Sequence, residues 1–269
     1  MGDSKDLRHV RLDWRDDVAV LTLNRPDVLN AMSAELIEDI GLALDQLHLM
    51  RGEVRALVLT GAGKAFCAGG DISAHINKPT GTPPYDLADA MRTLFNPLLL
   101  RLLDLPFPFV TAVNGAAAGA GLPLSLFGDV VVASRSAHFS SGFSQIALLP
   151  DMGLTWLLPR LIGRARAHKI LLLGERVTGE QGEEWGMIDR CVADDDLLDE
   201  AFAIAERLAK ASITALTVTR KATLQAMGSG LSESLDREAE YQRNLGFAGD
   251  FAEGITAFFE KRSPKFKDI

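Results

Sequence analysis

The chain has few of the features that mark secreted, membrane or metal-binding proteins. It contains only two cysteines, Cys67 and Cys191, in 269 residues, and each stands among apolar residues, so we expect free thiols in a reducing cytosol rather than a disulfide. No apolar run reaches the length that spans a bilayer, and the polar residues 1–6 do not resemble a signal peptide. The histidines share no helix at ligand spacing, so no metal site is expected. These absences predict a cytoplasmic protein with no membrane partner.

Positive charge is also scarce. The 28 Lys and Arg residues are outnumbered by 36 Asp and Glu, which gives a formal net charge of -8 at pH 7. Nucleic acids bind to clustered basic faces, and the sequence has none, so no nucleic-acid partner is expected. The hydrophobic content of 47% instead indicates one sizeable globular core that acts on small molecules.

Alternating strand-like and helix-like segments predict an α/β core. Two β runs at residues 10–14 and 18–23 form an expected hairpin, and Ser33 is the expected N-cap of the helix that follows. Further short β runs are separated by glycine-rich turns and helices, and lie at 54–60, 109–113, 130–133 and 137–139. After Asp195 only amphipathic helices are expected. We therefore predict a core over residues 1–194 and a helical region over 195–269.

Two glycine-rich turns give the main functional signal. They read KAFCAGGDI at residues 64–72 and VNGAAAGAG at 113–121, and each follows a β-like segment and precedes a helix-like one. On neighbouring strands, two such turns can direct two backbone N–H groups at one oxygen and stabilise an oxyanion or enolate. For a single turn the alternative is an ordinary strand-to-helix connection. The glycine spacing matches neither a dinucleotide-binding motif nor a phosphate-binding loop.

Five motifs together resemble those of the crotonase family, the enoyl-CoA hydratases and isomerases, over nearly the whole chain. They are LNRPDVLNAM at 23–32, the two glycine-rich turns, LPRLIG at 158–163 and FFEKR at 258–262. The resemblance implies a spiral of strand-strand-helix units and an acyl-CoA thioester substrate, with no cofactor beyond the CoA of that substrate. It also implies that the C-terminal helices assemble a homo-trimer or a hexamer.

The resemblance assigns two groups of site residues. The oxyanion-hole amides correspond to Gly70 and Ala120. The CoA-binding positions are Arg25, Ala68, Asp71, Ile72, Phe258 and Lys261, the last two supplied by a neighbouring subunit. Each charged position has a structural alternative, because Arg25 and Lys261 are also typical surface residues and Asp71 is a good helix cap.

The chain departs from the family at the two positions where hydratases carry glutamates. Pro123 and Phe143 stand there, and neither side chain can transfer a proton, which argues against ordinary hydration. Asp151, in the segment Pro-Asp-Met-Gly, resembles the single catalytic carboxylate of family isomerases. Apolar neighbours are expected to raise its pKa into the range of a general base. Its alternative role is the N-cap of the helix at 154–161.

The prediction is therefore an enoyl-CoA isomerase with Asp151 as its acid and base. The alternatives are a hydratase of low activity, a family dehalogenase whose nucleophile would be Asp151, and a non-catalytic CoA-binding scaffold. Residues 78–86 are expected to form a mobile loop over the acyl pocket, so the chain length of the acyl group is not predicted.

Overall fold

Ten strands in the described parts of the chain form two sheets. The computed structural model describes residues 7–50, 52–73 and 86–267. The order in the larger sheet is β1-β2-β3-β5-β7-β10, and in the smaller sheet β4-β6-β8-β9. Only the β1–β2 and β8–β9 pairs are antiparallel among these. The strands are β1 (Val10–Arg15), β2 (Val18–Leu23), β3 (Ala56–Gly61), β4 (Ala65–Cys67), β5 (Phe109–Val113), β6 (Ala116–Ala118), β7 (Val130–Ser134), β8 (His138–Ser140), β9 (Val177–Thr178) and β10 (Arg190–Val192).

From β3 to β8, consecutive strands alternate between the two sheets, which confirms the predicted spiral architecture. In each of the pairs β3–β4, β5–β6 and β7–β8, the first strand joins the larger sheet and the second joins the smaller one. Every residue of β5 is buried, because a parallel sheet covered on both faces requires continuous apolar strands. Two strands start later than predicted because the residues before them close turns: Val54 N donates to Met50 O, and Ala137 N donates to Ser134 O.

Helices follow the strand pairs and then occupy the C-terminal quarter. Ser33 caps the first of them, its hydroxyl accepting from Leu36 N at 3.3 Å, as predicted. The fifth is longer than its predicted extent and is interrupted at Gly163, whose φ of 74° and ψ of 158° are not helical. The helices are α1 (Ala34–Leu49), α2 (Leu87–Ala90), α3 (Asn96–Leu103), α4 (Gly121–Leu126), α5 (Leu154–Leu173), α6 (Gly179–Glu184), α7 (Leu197–Ala209), α8 (Ile213–Ala226), α9 (Leu231–Gly246) and α10 (Gly249–Glu260).

The C-terminal helices differ in how they contact the core. Helix α7 lies on the outer face of the larger sheet, and its buried residues Leu197, Ala201, Ala205 and Ala209 pack with apolar residues of the strands. Helices α8 and α10 each bury one residue, and α9 buries none. The boundary at residue 195 stays a prediction. No helix in the described residues is long and apolar enough to cross a membrane.

Candidate active site

The two glycine-rich turns leave the ends of neighbouring parallel strands and touch each other. Strand β4 pairs with β6 in parallel, so both turns emerge at the same edge of the smaller sheet. Gly69 has a φ of 104° and Gly119 a φ of 52°, in the region that favours glycine. A Cβ atom added at Gly69 would lie only 3.2 Å from Gly119 Cα and 3.3 Å from Ala120 N. The close packing of the turns therefore requires glycine at this point.

Both amides assigned to the oxyanion hole lack a partner in the described part of the chain. Neither Gly70 N nor Ala120 N donates a hydrogen bond to another described residue. Ala120 is the N-cap of α4, where backbone N–H groups and the helix dipole favour an anion. An alanine at this position keeps the N–H donor. The geometry gives both amides the free hydrogen that an oxyanion needs, while their role stays a prediction.

A backbone bridge holds the first turn on either side of Gly70. Met32 N donates to Gly69 O at 2.7 Å, and Asp71 N donates to Met32 O at 2.9 Å. These two bonds pair Met32 with Gly70 in a parallel bridge. The bridge uses the groups next to the Gly70 amide and leaves that amide available.

Asp151 lies in the short segment that leads into α5, and its carboxylate is not a helix cap. Gly153 is the N-cap of that helix and makes no side-chain cap bond. The Oδ1 atom of Asp151 is buried and has no hydrogen-bond partner among the described residues. Burial raises the pKa of the Asp151 carboxyl to about 6, because low-polarity surroundings disfavour the charged form. The capping alternative is wrong, and an orphaned buried carboxyl oxygen is typical of a functional site.

The two residues that follow Asp151 pack against apolar side chains. Met152 belongs to the buried core, and a Cβ atom at Gly153 would lie 3.3 Å from the ring of Phe127, the residue that ends α4. Helix α5 packs on α4, whose N-cap is Ala120. The segment that carries Asp151 therefore leads into a helix that contacts the helix after the second glycine-rich turn.

The positions of the hydratase glutamates are occupied by buried residues without acid–base chemistry. Pro123 lies inside the first turn of α4, and its carbonyl accepts from Phe127 N at 3.2 Å. Phe143 begins a 3-10 turn and is 7% exposed. Proline in the first turn of a helix costs no hydrogen bond, since the N–H there is unpaired anyway.

A cavity of about 410 Å³ adjoins Gly70. Its lining combines charged residues, among them Arg25 and Asp71, with apolar residues, among them Met32 and Phe95. A Cβ atom at Gly70 would lie 3.9 Å from Phe95 Cζ. Phe95 ends a π-helical turn, Met91–Phe95, and such turns are frequent at functional sites. No pattern in the sequence predicted that Phe95 would line this cavity, because a π-helical turn leaves no signal in the apolar periodicity.

Two residues that line this cavity, Arg25 and Asp71, pair with each other. Arg25 Nη2 lies 3.1 Å from Asp71 Oδ2, and both side chains are 20% exposed. Asp71 also accepts from Ser73 Oγ at 2.6 Å. The hydrogen bond from Ser73 is the largest cause that holds the pKa of Asp71 below its usual value, and Arg25 contributes. Arg25 is thus an ion-paired residue of the cavity rather than an isolated surface charge.

Of the remaining predicted CoA contacts in the described chain, only Ile72 lines this cavity. Ile72 lines the same cavity and is half-exposed, and Ala68 is half-buried in the first turn. Phe258 and Lys261 stand at the end of α10, where Phe258 is 77% exposed. Neither lines the cavity within the described chain. The expected loop at residues 78–86 lies outside the described residues except for its last residue, Asp86.

Comparisons with known proteins agree with this architecture. Residues 13–269 match the sequence model of a protein family that is described as enoyl-CoA hydratase/isomerase. A relative from Escherichia coli (strain K12), named 1,2-epoxyphenylacetyl-CoA isomerase, is 45% identical and is aligned over 93% of this chain and 94% of its own. A trans-2-decenoyl-[acyl-carrier-protein] isomerase from Streptococcus mutans is 31% identical over 97% of this chain and 98% of its own.

Solved structures show the same fold. The crystal structure of an enoyl-CoA hydratase from Bacillus anthracis is 30% identical to this chain, with a TM-score of 0.89. The match covers 97% of this chain and 100% of that chain.

Proposed function

Because the chain belongs to the enoyl-CoA hydratase/isomerase family, an enzyme family that acts on acyl-CoA thioesters, we propose that it is an isomerase with one acid–base group. The proposal is that Asp151 moves a proton within a 3-enoyl-CoA and so shifts its double bond. The observation that carries it is the half-buried Asp151 carboxyl, whose buried Oδ1 atom has no partner among the described residues and whose pKa is raised to about 6. A base with a pKa near the working pH is the most effective one.

The proposed reaction conserves all atoms. Asp151 removes a proton from C2 of the 3-enoyl thioester, and the resulting charge moves onto the thioester oxygen. The N–H groups of Gly70 and Ala120 stabilise that dienolate oxygen. Asp151 then returns the proton to C4, which leaves the 2-enoyl thioester. The balance requires no water, metal or redox cofactor.

One relative supports a second candidate substrate. The Escherichia coli protein named 1,2-epoxyphenylacetyl-CoA isomerase is 45% identical to this chain over most of both lengths. Isomerisation of 1,2-epoxyphenylacetyl-CoA is therefore the second candidate function. It would use the same thioester-binding amides, so a comparison of the two substrates separates the candidates.

The alternatives differ in the group that they require. A hydratase needs groups that activate water and deliver a proton, and Pro123 and Phe143 supply neither. It would depend on Asp151 with a loosely held water and would have low activity. A dehalogenase would use Asp151 as a nucleophile, but Phe143 stands where that branch has a tryptophan. A non-catalytic scaffold would bind CoA thioesters without turnover.

Replacement of Asp151 tests the proposal. Asp151→Asn keeps the shape of the side chain and removes the proton acceptor, so isomerisation of 3-hexenoyl-CoA should fall at least about a hundredfold. Binding of hexanoyl-CoA, measured by calorimetry, should persist. Asp16→Asn is the matched control, since Asp16 is an exposed turn residue with a φ of 53° that asparagine also adopts.

Other results would favour the alternatives. Wild-type hydration of crotonyl-CoA at an ordinary enzymic rate would contradict the isomerase proposal. Turnover of 1,2-epoxyphenylacetyl-CoA in place of 3-hexenoyl-CoA would establish the second candidate. Binding without turnover of either thioester would support the scaffold.

We further propose that the chain works in the cytoplasm as a homo-trimer or hexamer, with a complete CoA site only in the assembly. Arg25, Asp71 and Ile72 line the cavity, whereas the predicted contacts Phe258 and Lys261 lie outside it on α10. In the family pattern a neighbouring subunit supplies these two residues. The exposed end of α10 is consistent with that assembly.

A further inference from the structure

We propose that Asn30 is a positioning residue that holds the Gly70 amide in the oxyanion hole. The inference rests on the proposed function of Gly70 and adds a residue that touches neither substrate nor reacting atoms. Asn30 is fully buried and does not line the cavity next to Gly70. Its effect on catalysis would therefore pass through the backbone that it holds.

The Asn30 side chain bonds to three backbone groups, one at Arg25 in its own loop and two on the connection between β3 and β4. Its Oδ1 accepts from Arg25 N at 2.9 Å, and its Nδ2 donates to Ala62 O at 2.9 Å and to Ala65 O at 2.8 Å. Both amide hydrogens are thereby used inside the protein. A buried, fully bonded amide of this kind fixes the relative position of the segments that it joins.

The backbone next to Asn30 in turn holds the first glycine-rich turn. Leu29 O accepts from Ala68 N at 2.9 Å, and Met32 bonds to both neighbours of Gly70. Three hydrogen bonds therefore connect the backbone of Leu29 and Met32, which lie within two residues of Asn30, to the first glycine-rich turn. The segment at residues 29–32 therefore holds the residues on both sides of Gly70 and so determines where the Gly70 N–H points.

The loop has a conformation that asparagine suits. Leu29 and Asn30 have φ values of 53° and 57°, a region in which asparagine is several-fold enriched over other non-glycine residues. Aspartate would retain the acceptor for Arg25 N but would place oxygen against the carbonyls of Ala62 and Ala65. Only an amide of this length provides one acceptor and two donors here.

The expected catalytic effect is large because oxyanion donors act over short distances. Loss of one oxyanion-hole donor lowers kcat about 10²- to 10³-fold, and a displacement of about 1 Å can cost about 10²-fold. Ground-state binding of the thioester depends mainly on CoA contacts elsewhere. Loosening the loop should therefore lower kcat far more than affinity.

The test is Asn30→Gly, which keeps the positive φ and removes all three side-chain bonds. We expect kcat for 3-hexenoyl-CoA to fall about ten- to a hundredfold, with the Kd of hexanoyl-CoA within about threefold of wild type. Infrared spectroscopy of bound hexanoyl-CoA with a ¹³C-labelled thioester carbonyl measures the C=O stretching frequency. A loss of protein stability alone does not change this frequency. The wild type should shift the C=O stretch to lower frequency, and Asn30→Gly should lose most of that shift.

Thr60→Val is the matched control. Thr60 is buried, and its hydroxyl donates to Ala112 O at 2.8 Å between β3 and β5. The variant removes a buried side-chain bond to the backbone without touching either turn. It should lower the melting temperature and leave both kcat and the carbonyl shift at their wild-type values.

The outcomes distinguish the two proposals. A wild-type carbonyl shift that Asn30→Gly retains in full would overturn the role of Asn30 and leave the proposed function intact. Bound hexanoyl-CoA without a shift in the wild type would overturn the oxyanion hole itself. If Asn30→Gly does not fold, Asn30→Ser replaces it, since a neutral hydroxyl puts no charge against the carbonyls of Ala62 and Ala65, and the same carbonyl measurement decides.

Discussion

At the scale of single residues, Asp151 combines a catalytic capability with a cost in stability. Its buried carboxyl has a pKa of about 6, against about 4 for an exposed aspartate. The folded protein therefore binds this proton more tightly than the unfolded chain does. Stability from this group is fully present below about pH 4 and is lost as the pH rises through about 6. The proposed reaction needs Asp151 in its ionised form, and the folded protein is less stable with Asp151 ionised than with Asp151 protonated.

The pH dependence of the wild-type enzyme follows from this titration. We expect kcat/KM for 3-hexenoyl-CoA to fall about tenfold per pH unit below about pH 6 and to level off above it, because only the carboxylate accepts a proton. Initial rates between pH 4.5 and 8.5 would measure the profile. A profile that is flat down to pH 5 would contradict the role of Asp151 as the base.

Melting temperatures provide the control for that profile. Asp151→Asn should melt at a higher temperature than the wild type at pH 7.5, and the difference should vanish below about pH 4, where Asp151 is protonated in both states. The melting temperature of Asp16→Asn should stay close to that of the wild type at pH 7.5, because Asp16 is exposed.

At the scale of elements, Arg220 fastens α8 to the core. Its Nη2 donates to Leu105 O at 2.6 Å and to Phe107 O at 3.1 Å, and its Nη1 donates to Asp129 Oδ2 at 3.2 Å. The guanidinium is 8% exposed. Burial lowers the pKa of Arg220 and raises that of Asp129, and the attraction between the two opposes both shifts. Since Ile213 is the one buried residue of α8, these bonds of Arg220 are a major attachment of the helix to the core.

Removing this guanidinium should strongly destabilise the protein. Arg220→Ala leaves Leu105 O and Phe107 O without their donor and breaks the ion pair with the partly exposed Asp129, and loss of a hydrogen bond to a charged group typically costs about 1.5–3 kcal/mol. Urea unfolding followed by circular dichroism would measure the loss. Arg243→Ala is the matched control on α9: Arg243 pairs with Glu240 at the surface, so its loss should stay within about 1 kcal/mol. Equal effects of the two variants would contradict the anchoring role of Arg220.

At the scale of the whole molecule, the last helices expose large apolar side chains. Phe247 is 85% exposed, and Phe258 and Phe259 are each 77% exposed. Phe258 and Phe259 also contact each other, with ring centroids 5.7 Å apart, and clustered exposed apolar side chains often mark a protein–protein contact. This observation supports the proposed assembly through the C-terminal region.

Light scattering after size exclusion tests the assembly. The wild type should elute as a trimer or hexamer, and Phe247→Asp combined with Phe259→Asp should shift it to monomer, because a charge in an apolar interface is costly. Leu49→Asp is the control, since Leu49 is 86% exposed at the end of α1 and outside that region. A wild-type monomer that binds CoA thioesters at micromolar concentration would contradict the proposal.

The sequence by itself determined the α/β core, the helical C-terminal region and the family. These follow from local patterns: apolar periodicity, the Ser33 cap and short contiguous motifs such as the two glycine-rich turns. The sequence also singled out Asp151 by resemblance, although its neighbours along the chain equally allowed a helix cap. Its role, like those of Gly70 and Ala120, stays a prediction.

Only the tertiary structure decided how these residues are arranged in space. The contact between Gly69 and Gly119, the two bonds of Asn30 Nδ2, the Arg25–Asp71 pair and the orphaned oxygen of Asp151 all depend on segments that are distant along the chain. Burial, pKa and hydrogen-bond satisfaction are properties of a three-dimensional environment. Local sequence specifies which groups are available, and the packing of the two sheets determines which of them meet.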